Sequence, residues 1–206
     1  MSRPDSQRVR AYYDREAKRY DASIGLFERW VLKDGRAWAA SHAAGEVLEI
    51  GIGTGRNLPY YPLGVHLVAV EMSPAMLEIA RQRASQLGID VDLREGDAQA
   101  LPFPDAAFDS VICTLVLCTV SDDRQAIAEM ARVLKPGGLA VVVEHVRSPV
   151  WPVRMLERLL EPLMLRLECD HLLRDPVDHL EWCGLHVESC ERSAWGVLER
   201  TLARRT

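Results

Sequence analysis

The sequence predicts an α/β fold in which a mostly parallel sheet carries helices on both faces. Two observations lead to this prediction. Short apolar runs alternate with stretches of helical spacing from Glu46 onward, and a burst of glycine directly follows the first apolar run. Because α/β proteins build nucleotide pockets from a strand, a glycine turn and a helix, this turn also indicates a ligand site.

The length and composition predict one soluble domain. The 206 residues are 48% hydrophobic and 27% charged, which suits one α/β core and is too short for two ordinary domains. The net charge of −5 argues against a protein that binds nucleic acid phosphates.

No apolar run approaches the roughly 18–20 residues that span a bilayer. The N-terminus has no signal-peptide pattern, so we expect a cytoplasmic protein. The five cysteines are scattered without a CxxC pair, which predicts free thiols and no metal site.

The chain begins with a predicted helical cap and continues into the sheet. Residues from about Asp5 to Ser41 show helical spacing, with an expected interruption near Asp21–Gly25. Five apolar runs then predict strands, at Val47–Ile50, Leu67–Val70, Val91–Leu93, Val111–Leu115 and Leu139–Val143.

Helices are predicted between these strands. Pro74–Gln86 follows Ser73, which suits an N-cap before a proline in the first turn. Arg124–Leu134 is expected to end at the turn Lys135-Pro136-Gly137-Gly138.

The region after Pro149 is predicted to cover the site and close the sheet. Its helical segment, Val153 to about Leu167, contains Pro162, which is expected to kink or divide it. A short helix near Pro176–Cys183 precedes two alternating stretches, Leu185–Cys190 and Trp195–Leu202, that predict an antiparallel hairpin. We therefore expect a single domain over residues 1–206, with a helical cap (1–45), a cofactor-binding core (46–147) and a substrate lid with the closing hairpin (148–206).

The glycine turn departs from the dinucleotide pattern G-x-G-x-x-G. Gly51 and Gly53 fit it, but Arg56 occupies the third position and the third glycine comes one residue early, at Gly55. Glu49 precedes the first glycine by two residues and is expected near the end of the first strand. A carboxylate there would repel a pyrophosphate and suit a ligand that carries an ammonium group. An NAD-dependent oxidoreductase is therefore disfavoured.

Two further acids follow the next two strands. Glu71 ends the second strand, where this class of fold holds ribose hydroxyls, and Asp97 follows the third, where it could accept from an exocyclic amine. Three acids at successive strand ends, with glycines between them, describe a pocket for an adenosine that carries an amino acid. S-adenosylmethionine is such a molecule.

From about Val47 to His145 the sequence resembles the class I S-adenosylmethionine-dependent methyltransferases, in the small-molecule branch with the methyltransferase 11 domain. The motifs that carry the resemblance occur in order at the family's spacing: Glu49 to Gly55, Val70 to Leu77, Gly96-Asp97-Ala98 with Leu101-Pro102-Phe103, Phe108-Asp109, and Val133 to Gly138. The resemblance implies a Rossmann-like fold with a seven-stranded sheet of order 3-2-1-4-5-7-6, in which strand 7 is antiparallel.

The resemblance also implies roles for individual residues toward this cofactor, whose product would be S-adenosylhomocysteine. Glu49 and the backbone of Gly51, Gly53 and Gly55 would face the methionine part. Glu71 would take the ribose hydroxyls and Met72 would lie against the adenine. Asp97 and the Ala98 amide would contact the adenine edge, and Thr114 and Leu115 would lie below the methyl group.

Local motifs suggest several acceptors. The segments Val111–Cys118 and Glu144–Val146 look like animal thiol methyltransferases and their bacterial relatives, whereas Tyr12-Tyr13-Asp14 with Tyr20-Asp21 resembles the cap of bacterial phosphatidylethanolamine and quinone methyltransferases. The expected function is methyl transfer to a small-molecule acceptor. A thiol or amine ranks first, a phospholipid amine second and a quinone-type ring carbon third. The alternative from another class is a cofactor-binding module without turnover.

The sulfonium of this cofactor is already activated, so a general base is needed only for a protonated acceptor such as an amine. His145, at the end of the fifth strand, and the cap residues Tyr12 and Tyr20 are the candidate catalytic side chains; each could equally be a packing residue. Asp170-His171 is better interpreted as a helix-end polar pair than as an acid/base pair. The Val153–Leu167 segment is interpreted as a cover over the substrate entrance, or alternatively as a lid that makes peripheral membrane contact.

Overall fold

The computed structural model describes residues 5–206, so residues 1–4 of the expected cap lie outside the described residues. Seven strands form one sheet in the order β3-β2-β1-β4-β5-β7-β6. Their bounds are β1 Glu46–Ile50, β2 His66–Glu71, β3 Asp92–Glu95, β4 Phe108–Thr114, β5 Leu134–His145, β6 Leu185–Ser193 and β7 Leu198–Arg205. Strands β1 to β5 pair in parallel, and β7 runs antiparallel to both β5 and β6. The predicted fold class and strand order are confirmed.

Helices cover both faces of the sheet. Their bounds are α1 Ser6–Phe27, α2 Gly35–Ser41, α3 Pro74–Leu87, α4 Asp123–Val133, α5 Trp151–Leu167 and α6 Val177–Leu180. Successive residues of β1 point to opposite faces, so Val47 packs in one apolar core with Ala80 of α3, and Leu48 packs in the other with Ile127 of α4. Burial of the central strands on both faces explains their continuous apolar runs.

The predicted interruption of the cap near Asp21–Gly25 is wrong, because α1 continues to Phe27. The carboxylate of Asp21 accepts a hydrogen bond from Thr54 Oγ1 at 2.6 Å and pairs with Arg83, so it does not compete for helix backbone groups. The chain turns later, after a π-helical turn at Glu28–Leu32, where Lys33 has a φ of 53°.

Two other predicted boundaries can be compared with the structure. Of the two effects expected at Pro162, a kink or a division, the division is wrong, because α5 is continuous through this residue. It is exposed, so solvent can satisfy the carbonyl that loses its helical partner. The last strand does not begin at Trp195 as predicted, because this residue lies in the turn Ala194–Gly196 with a φ of 58°, and β7 begins at Leu198.

Helix α1 lies across the carboxyl edge of the parallel strands and contacts α3. Asp14 accepts hydrogen bonds from Ser73 Oγ at 2.6 Å and from the Ala75 amide at 3.3 Å, at the start of α3. One turn earlier in α1, Arg10 forms an ion pair with Glu95 at 2.8 Å. These contacts hold the cap over the strand ends, where parallel sheets bind their ligands.

Candidate active site

The glycine turn after β1 is tight because its first amide groups bond back to the neighbouring strand. The amides of Gly51 and Ile52 donate to the Val70 carbonyl at 2.9 and 3.1 Å. Gly51 and Gly53 have φ angles of 67° and 57°, which favour glycine. A Cβ on Gly51 would lie 2.4 Å from Val116 Cγ2, whereas a Cβ on Gly53 would meet nothing within 4 Å. Gly51 thus permits close packing, and Gly53 leaves space for a ligand.

Glu71 links the glycine turn to the end of β2. Its Oε2 accepts from the Gly53 amide and its Oε1 from the Ser73 amide, each at 2.9 Å. Burial raises the pKa of Glu71, and these backbone donors oppose the rise. The Met72 amide also donates to this carboxylate. The two oxygens together offer about four acceptor positions, so a position remains that can accept from a hydroxyl group of a ligand.

A cavity lies between the strand ends and α1, and most of the predicted cofactor residues line it. Those that do are Gly51, Gly53, Glu71, Met72, Ala98, Thr114 and Leu115. On the opposite side α1 contributes Val9, Arg10, Tyr13 and Tyr20. We call this space the cofactor cavity. It combines the open cradle at Gly53, an acid at Glu71 and apolar walls at Met72 and Ala98, and these features fit an adenosine that carries an amino acid.

Three predicted cofactor residues do not line this cavity. Gly55 packs against α3, where a Cβ would lie 3.3 Å from Ala80 Cα. Glu49 is buried, and it accepts from Asn57 Nδ2 and from the Tyr61 hydroxyl, each at 2.9 Å. Burial raises the pKa of Glu49 to about 7. We therefore interpret Glu49 as a residue that orients Asn57.

Asp97 likewise acts through a neighbour. Its Oδ1 accepts from the backbone amide of Gln99 at 2.9 Å and from Gln99 Nε2 at 3.0 Å. Gln99 itself lines the cofactor cavity, and its Oε1 accepts from Ser121 Oγ at 2.8 Å. Sequence reasoning missed Gln99, whose only signal is its position two residues after Asp97.

A second, larger cavity of about 550 Å³ adjoins the first. Four residues line both cavities and therefore mark where they meet: Tyr13, Tyr20, Leu115 and Thr119. The other two predicted catalytic candidates, Tyr12 and His145, line only the larger cavity. We call this space the acceptor cavity. Helix α5 forms part of its wall through Val153, Leu156, Leu160 and Met164.

The acceptor cavity is acidic and aromatic. Its lining residues include four carboxylic acids, Glu16, Glu157, Glu168 and Asp170, and none of the described residues that line it is Lys or Arg. The rings of Tyr12 and Tyr13 lie edge-on with centroids 5.1 Å apart. Carboxylates and tyrosine faces both attract cations.

Two buried polar atoms in this cavity have no hydrogen-bond partner within residues 5–206: Asp170 Oδ1 and His145 Nδ1. Burial raises the pKa of Asp170 to about 6 and lowers the pKa of His145 to about 4. Near neutral pH, Asp170 is therefore a carboxylate with a free oxygen and His145 is uncharged. Burial also raises the pKa of Tyr20 to about 12, so its hydroxyl stays protonated.

The segment between the two cavities is fixed by Glu144, another residue that sequence reasoning did not place. This acid, in the apolar strand β5, accepts from the amides of Val116 at 2.7 Å and Leu117 at 2.9 Å. Burial raises its pKa to about 7. The preceding Leu115 has a φ of 58°, a strained angle for leucine. Glu144 thus holds the turn that keeps Leu115 at the junction of the cavities.

The model of the methyltransferase domain family matches residues 48–142. A phosphatidylethanolamine N-methyltransferase from Cereibacter sphaeroides is 33% identical over 154 residues, which are 68% of this chain and 76% of that protein. A demethylmenaquinone methyltransferase from Renibacterium salmoninarum is 37% identical over 161 residues, or 74% of this chain and 64% of that protein. A thiol S-methyltransferase from Rattus norvegicus is 33% identical over 140 residues, which are 66% of this chain and 57% of that protein. The chain spans less than two thirds of the length of the last two relatives.

Solved structures show the same fold at lower identity. A crystal structure of the cyclase SpnF matches all of this chain and 97% of that one, with a TM-score of 0.76 and 20% identity. A geranyl diphosphate methyltransferase in complex with sinefungin matches 84% of this chain and 77% of that one, with a TM-score of 0.68 and 19% identity.

The fold, the cofactor cavity and these relatives together define the class: the chain belongs to the class I S-adenosylmethionine-dependent methyltransferases. Within that family it is similar to proteins named for three different acceptors, a phospholipid amine, a quinone and a thiol. In the part of the chain that the structure describes, no helix is long and apolar enough to cross a membrane.

Proposed function

We propose that this protein transfers a methyl group from S-adenosylmethionine to the amine nitrogen of a small acceptor that also has an apolar part. One observation carries the proposal: the acceptor cavity, which meets the cofactor cavity at Tyr13, Tyr20, Leu115 and Thr119, is lined by four carboxylic acids and, among the described residues, by neither Lys nor Arg. Such a cavity attracts an ammonium group.

The apolar part of the acceptor has its own wall. Phe27 and Ile24 of α1 face the same cavity as Leu156 and Leu160 of α5. An acceptor whose amine lies among the tyrosines would extend its apolar part along these side chains. The relative named as a phosphatidylethanolamine N-methyltransferase has an acceptor of this type in its name, and we rank a phospholipid amine as the leading specific candidate.

The bound cofactor supplies a methyl group on a sulfonium centre whose leaving group is a neutral thioether. What the protein must supply is a deprotonated nitrogen, because an ammonium has no lone pair. We assign the role of base to Asp170, because its Oδ1 is unbonded among the described residues and its raised pKa of about 6 makes it a stronger base than an ordinary aspartate. The acceptor N–H proton would move to this oxygen. Tyr12 and Tyr20 would hold the amine by their ring faces and protonated hydroxyls.

The acceptor cavity suits the alternative acceptors less well. A thiol reacts as its thiolate, and a thiolate would be repelled by the same four acids. A quinone-type acceptor would pack against the apolar wall of the cavity. Methylation of its ring carbon would leave the unbonded carboxylate oxygen of Asp170 without a role. The demethylmenaquinone relatives nevertheless make a hydroquinone a necessary arm of the test.

The experiment measures transfer of labelled methyl from S-adenosylmethionine to acceptors that share one alkyl chain: octylamine, octanethiol and an octyl-substituted hydroquinone. We expect product with the amine and little with the other two. Product with the thiol or hydroquinone alone would contradict the proposal. Cofactor binding without product from any arm, including phosphatidylethanolamine vesicles, would favour the non-catalytic alternative.

A variant pair tests the role of Asp170. Asp170→Asn keeps the shape of the side chain and removes the base, so we expect kcat for the amine to fall by about 10²–10⁴-fold. Affinity for S-adenosylhomocysteine should not change, because Asp170 does not line the cofactor cavity. Asp90→Asn, at an exposed loop position, is the matched control and should retain full activity. Full activity of Asp170→Asn would exclude Asp170 as the base.

A further inference from the structure

Helix α5 has an apolar face toward solvent. Of its 17 residues only Glu157 is buried, whereas seven large apolar side chains are exposed. These are Trp151, Met155, Leu156, Leu159, Leu160, Leu163 and Leu167. Leu159 is 76% exposed and Trp151 is 72% exposed. An ordinary surface helix has the opposite arrangement, with its apolar side chains toward the core.

The charges of α5 are also sorted by face. Both of its acids are directed at the protein: Glu157 accepts from the Ser148 amide at 3.0 Å, and Glu161 accepts from the Leu173 amide at 3.1 Å. The charged residues left exposed are Arg158 and Arg166. The outer face is therefore apolar and positive, although the whole chain has a net charge of −5.

Two exposed tryptophans lie close in sequence to residues that line the acceptor cavity. Trp30, 67% exposed, lies three residues after Phe27, which lines the acceptor cavity. Trp195, 77% exposed, lies two residues before Val197, which also lines it. Trp195 and Ala194 both have left-handed φ angles, 58° and 50°. Such angles are strained for these residue types, yet the turn uses them to direct an indole at solvent.

This surface is continuous with the acceptor cavity, because Leu156 and Leu160 are both exposed and part of the cavity wall. We propose that the outer face of α5, with Trp30 and Trp195, docks on an anionic phospholipid bilayer, and that the acceptor enters the cavity from that bilayer. Only the second half of this inference depends on the proposed amine methylation. Apolar side chains, arginines and tryptophans on one face are what an interfacial helix uses to lie in the headgroup region.

A second copy of the chain is the competing occupant. A symmetric dimer would bury two copies of the same positive patch in one interface, and neither acid of α5 is on that face to pair with the arginines. A bilayer with anionic headgroups complements those arginines instead. The charge of the face thus favours lipid over self-association.

Flotation of the full chain with vesicles tests the inference, using phosphatidylcholine alone and phosphatidylcholine mixed with phosphatidylglycerol. We expect binding to the mixed vesicles that weakens with salt. The double variant Leu159→Glu/Leu163→Glu should bind at least about tenfold more weakly, because it replaces apolar contacts with charge. Neither leucine lines the acceptor cavity. Leu63→Glu, at a fully exposed leucine in the loop before β2, is the matched control and should bind as the unmodified protein does.

Charge is tested separately. Arg158→Glu/Arg166→Glu should weaken binding to the mixed vesicles by about tenfold and leave binding to neutral vesicles nearly unchanged. Arg81→Glu on α3, whose arginine forms an exposed pair with Glu78, is the control. Thermal melts of every variant verify that the chain is folded.

The outcomes separate the docking from the proposed chemistry. The Leu159→Glu/Leu163→Glu variant should keep its turnover of octylamine and lose turnover of an amine presented in vesicles. Absence of vesicle binding by the unmodified protein, or a dimer in sedimentation that this variant dissolves, would overturn the docking. Vesicle binding without turnover of any amine would leave the docking intact and refute the proposed function.

Discussion

The ring of Tyr13 lies edge-on to the ring of Tyr20, with centroids 6.1 Å apart and an interplanar angle of 69°. The two side chains are seven residues apart, so they project from the same face of α1. Both line the cofactor cavity and the acceptor cavity. One helix therefore supplies part of the wall of both cavities, and displacement of α1 would change both.

Substitutions of Gly51 and Gly53 are expected to have different effects, the first mainly on stability and the second mainly on cofactor binding. Gly53→Ala should cost roughly 1–2 kcal/mol of stability for its left-handed angle and place a methyl group in the open cradle. It should leave a folded protein that binds S-adenosylhomocysteine poorly. Gly51→Ala should destabilise the fold more, because its Cβ would lie 2.4 Å from Val116. Thermal melts with calorimetric titration check both, and normal cofactor affinity of Gly53→Ala would contradict the cradle.

Glu71 is expected to contribute to cofactor affinity through charge-assisted hydrogen bonds. Glu71→Gln should weaken binding of S-adenosylhomocysteine by about 1–3 kcal/mol in calorimetric titration. Glu78→Gln removes a carboxylate from the exposed face of α3 and should have no effect. If both variants bound the ligand with equal affinity, the ribose assignment would be wrong.

The stability of the protein is expected to fall as the pH rises toward neutrality. Burial raises the pKa of Glu49 from 4.5 to about 7. A carboxyl with a raised folded pKa stabilises the fold fully below its unfolded pKa, and this contribution is lost as the pH rises through the folded value. Glu144, whose pKa is also raised to about 7, acts in the same window.

Glu49→Gln isolates one of these groups. Gln can still accept from Asn57 and can donate to Tyr61, so the variant should lose the Glu49 part of the pH dependence. The unmodified protein should lose up to about 3 kcal/mol more than Glu49→Gln between pH values of about 4.5 and 8. Urea denaturation at both pH values measures this difference, and parallel curves for the two proteins would refute it.

The pH dependence of turnover should identify the base. Because Asp170 must be ionised to take a proton and its pKa is about 6, kcat for an amine should fall as the pH decreases through 6. This limb should vanish in Asp170→Asn and persist in Tyr20→Phe, since the Tyr20 hydroxyl, with a pKa of about 12, stays protonated throughout this range. A limb that persisted in Asp170→Asn and vanished in a His145 variant would move the role to His145.

The break predicted in α1 and the division predicted in α5 show where the tertiary environment overrules local sequence rules. Asp21 and Gly25 are poor helix residues, but contacts of Asp21 with Thr54 and Arg83, 33 and 62 residues away, keep α1 continuous. Pro162 is tolerated because it faces solvent. Whether α1 continues is decided by partners of Asp21 that are remote in the chain. Whether α5 continues is decided by the exposure of Pro162 to solvent.

The site follows a similar pattern. The motif at the strand ends predicts Glu71, Gly53 and Met72, and these residues line the cofactor cavity. From the sequence, Asp170 is interpreted as a polar residue at a helix end. None of its neighbours in the sequence indicates that it is buried beside Cys118.

The sequence by itself determined the fold class, the strand order implied by its motifs, and the cofactor. These depend on short-range features: apolar runs, glycines with one required backbone conformation, and acids at strand ends. Only the tertiary structure decided which acids contact the cavity, where the acceptor cavity lies and which face of α5 meets solvent. Each of these depends on burial, and burial is set by segments more than a hundred residues apart, such as α1 and α5, where Arg8 donates to the Arg166 carbonyl at 2.9 Å.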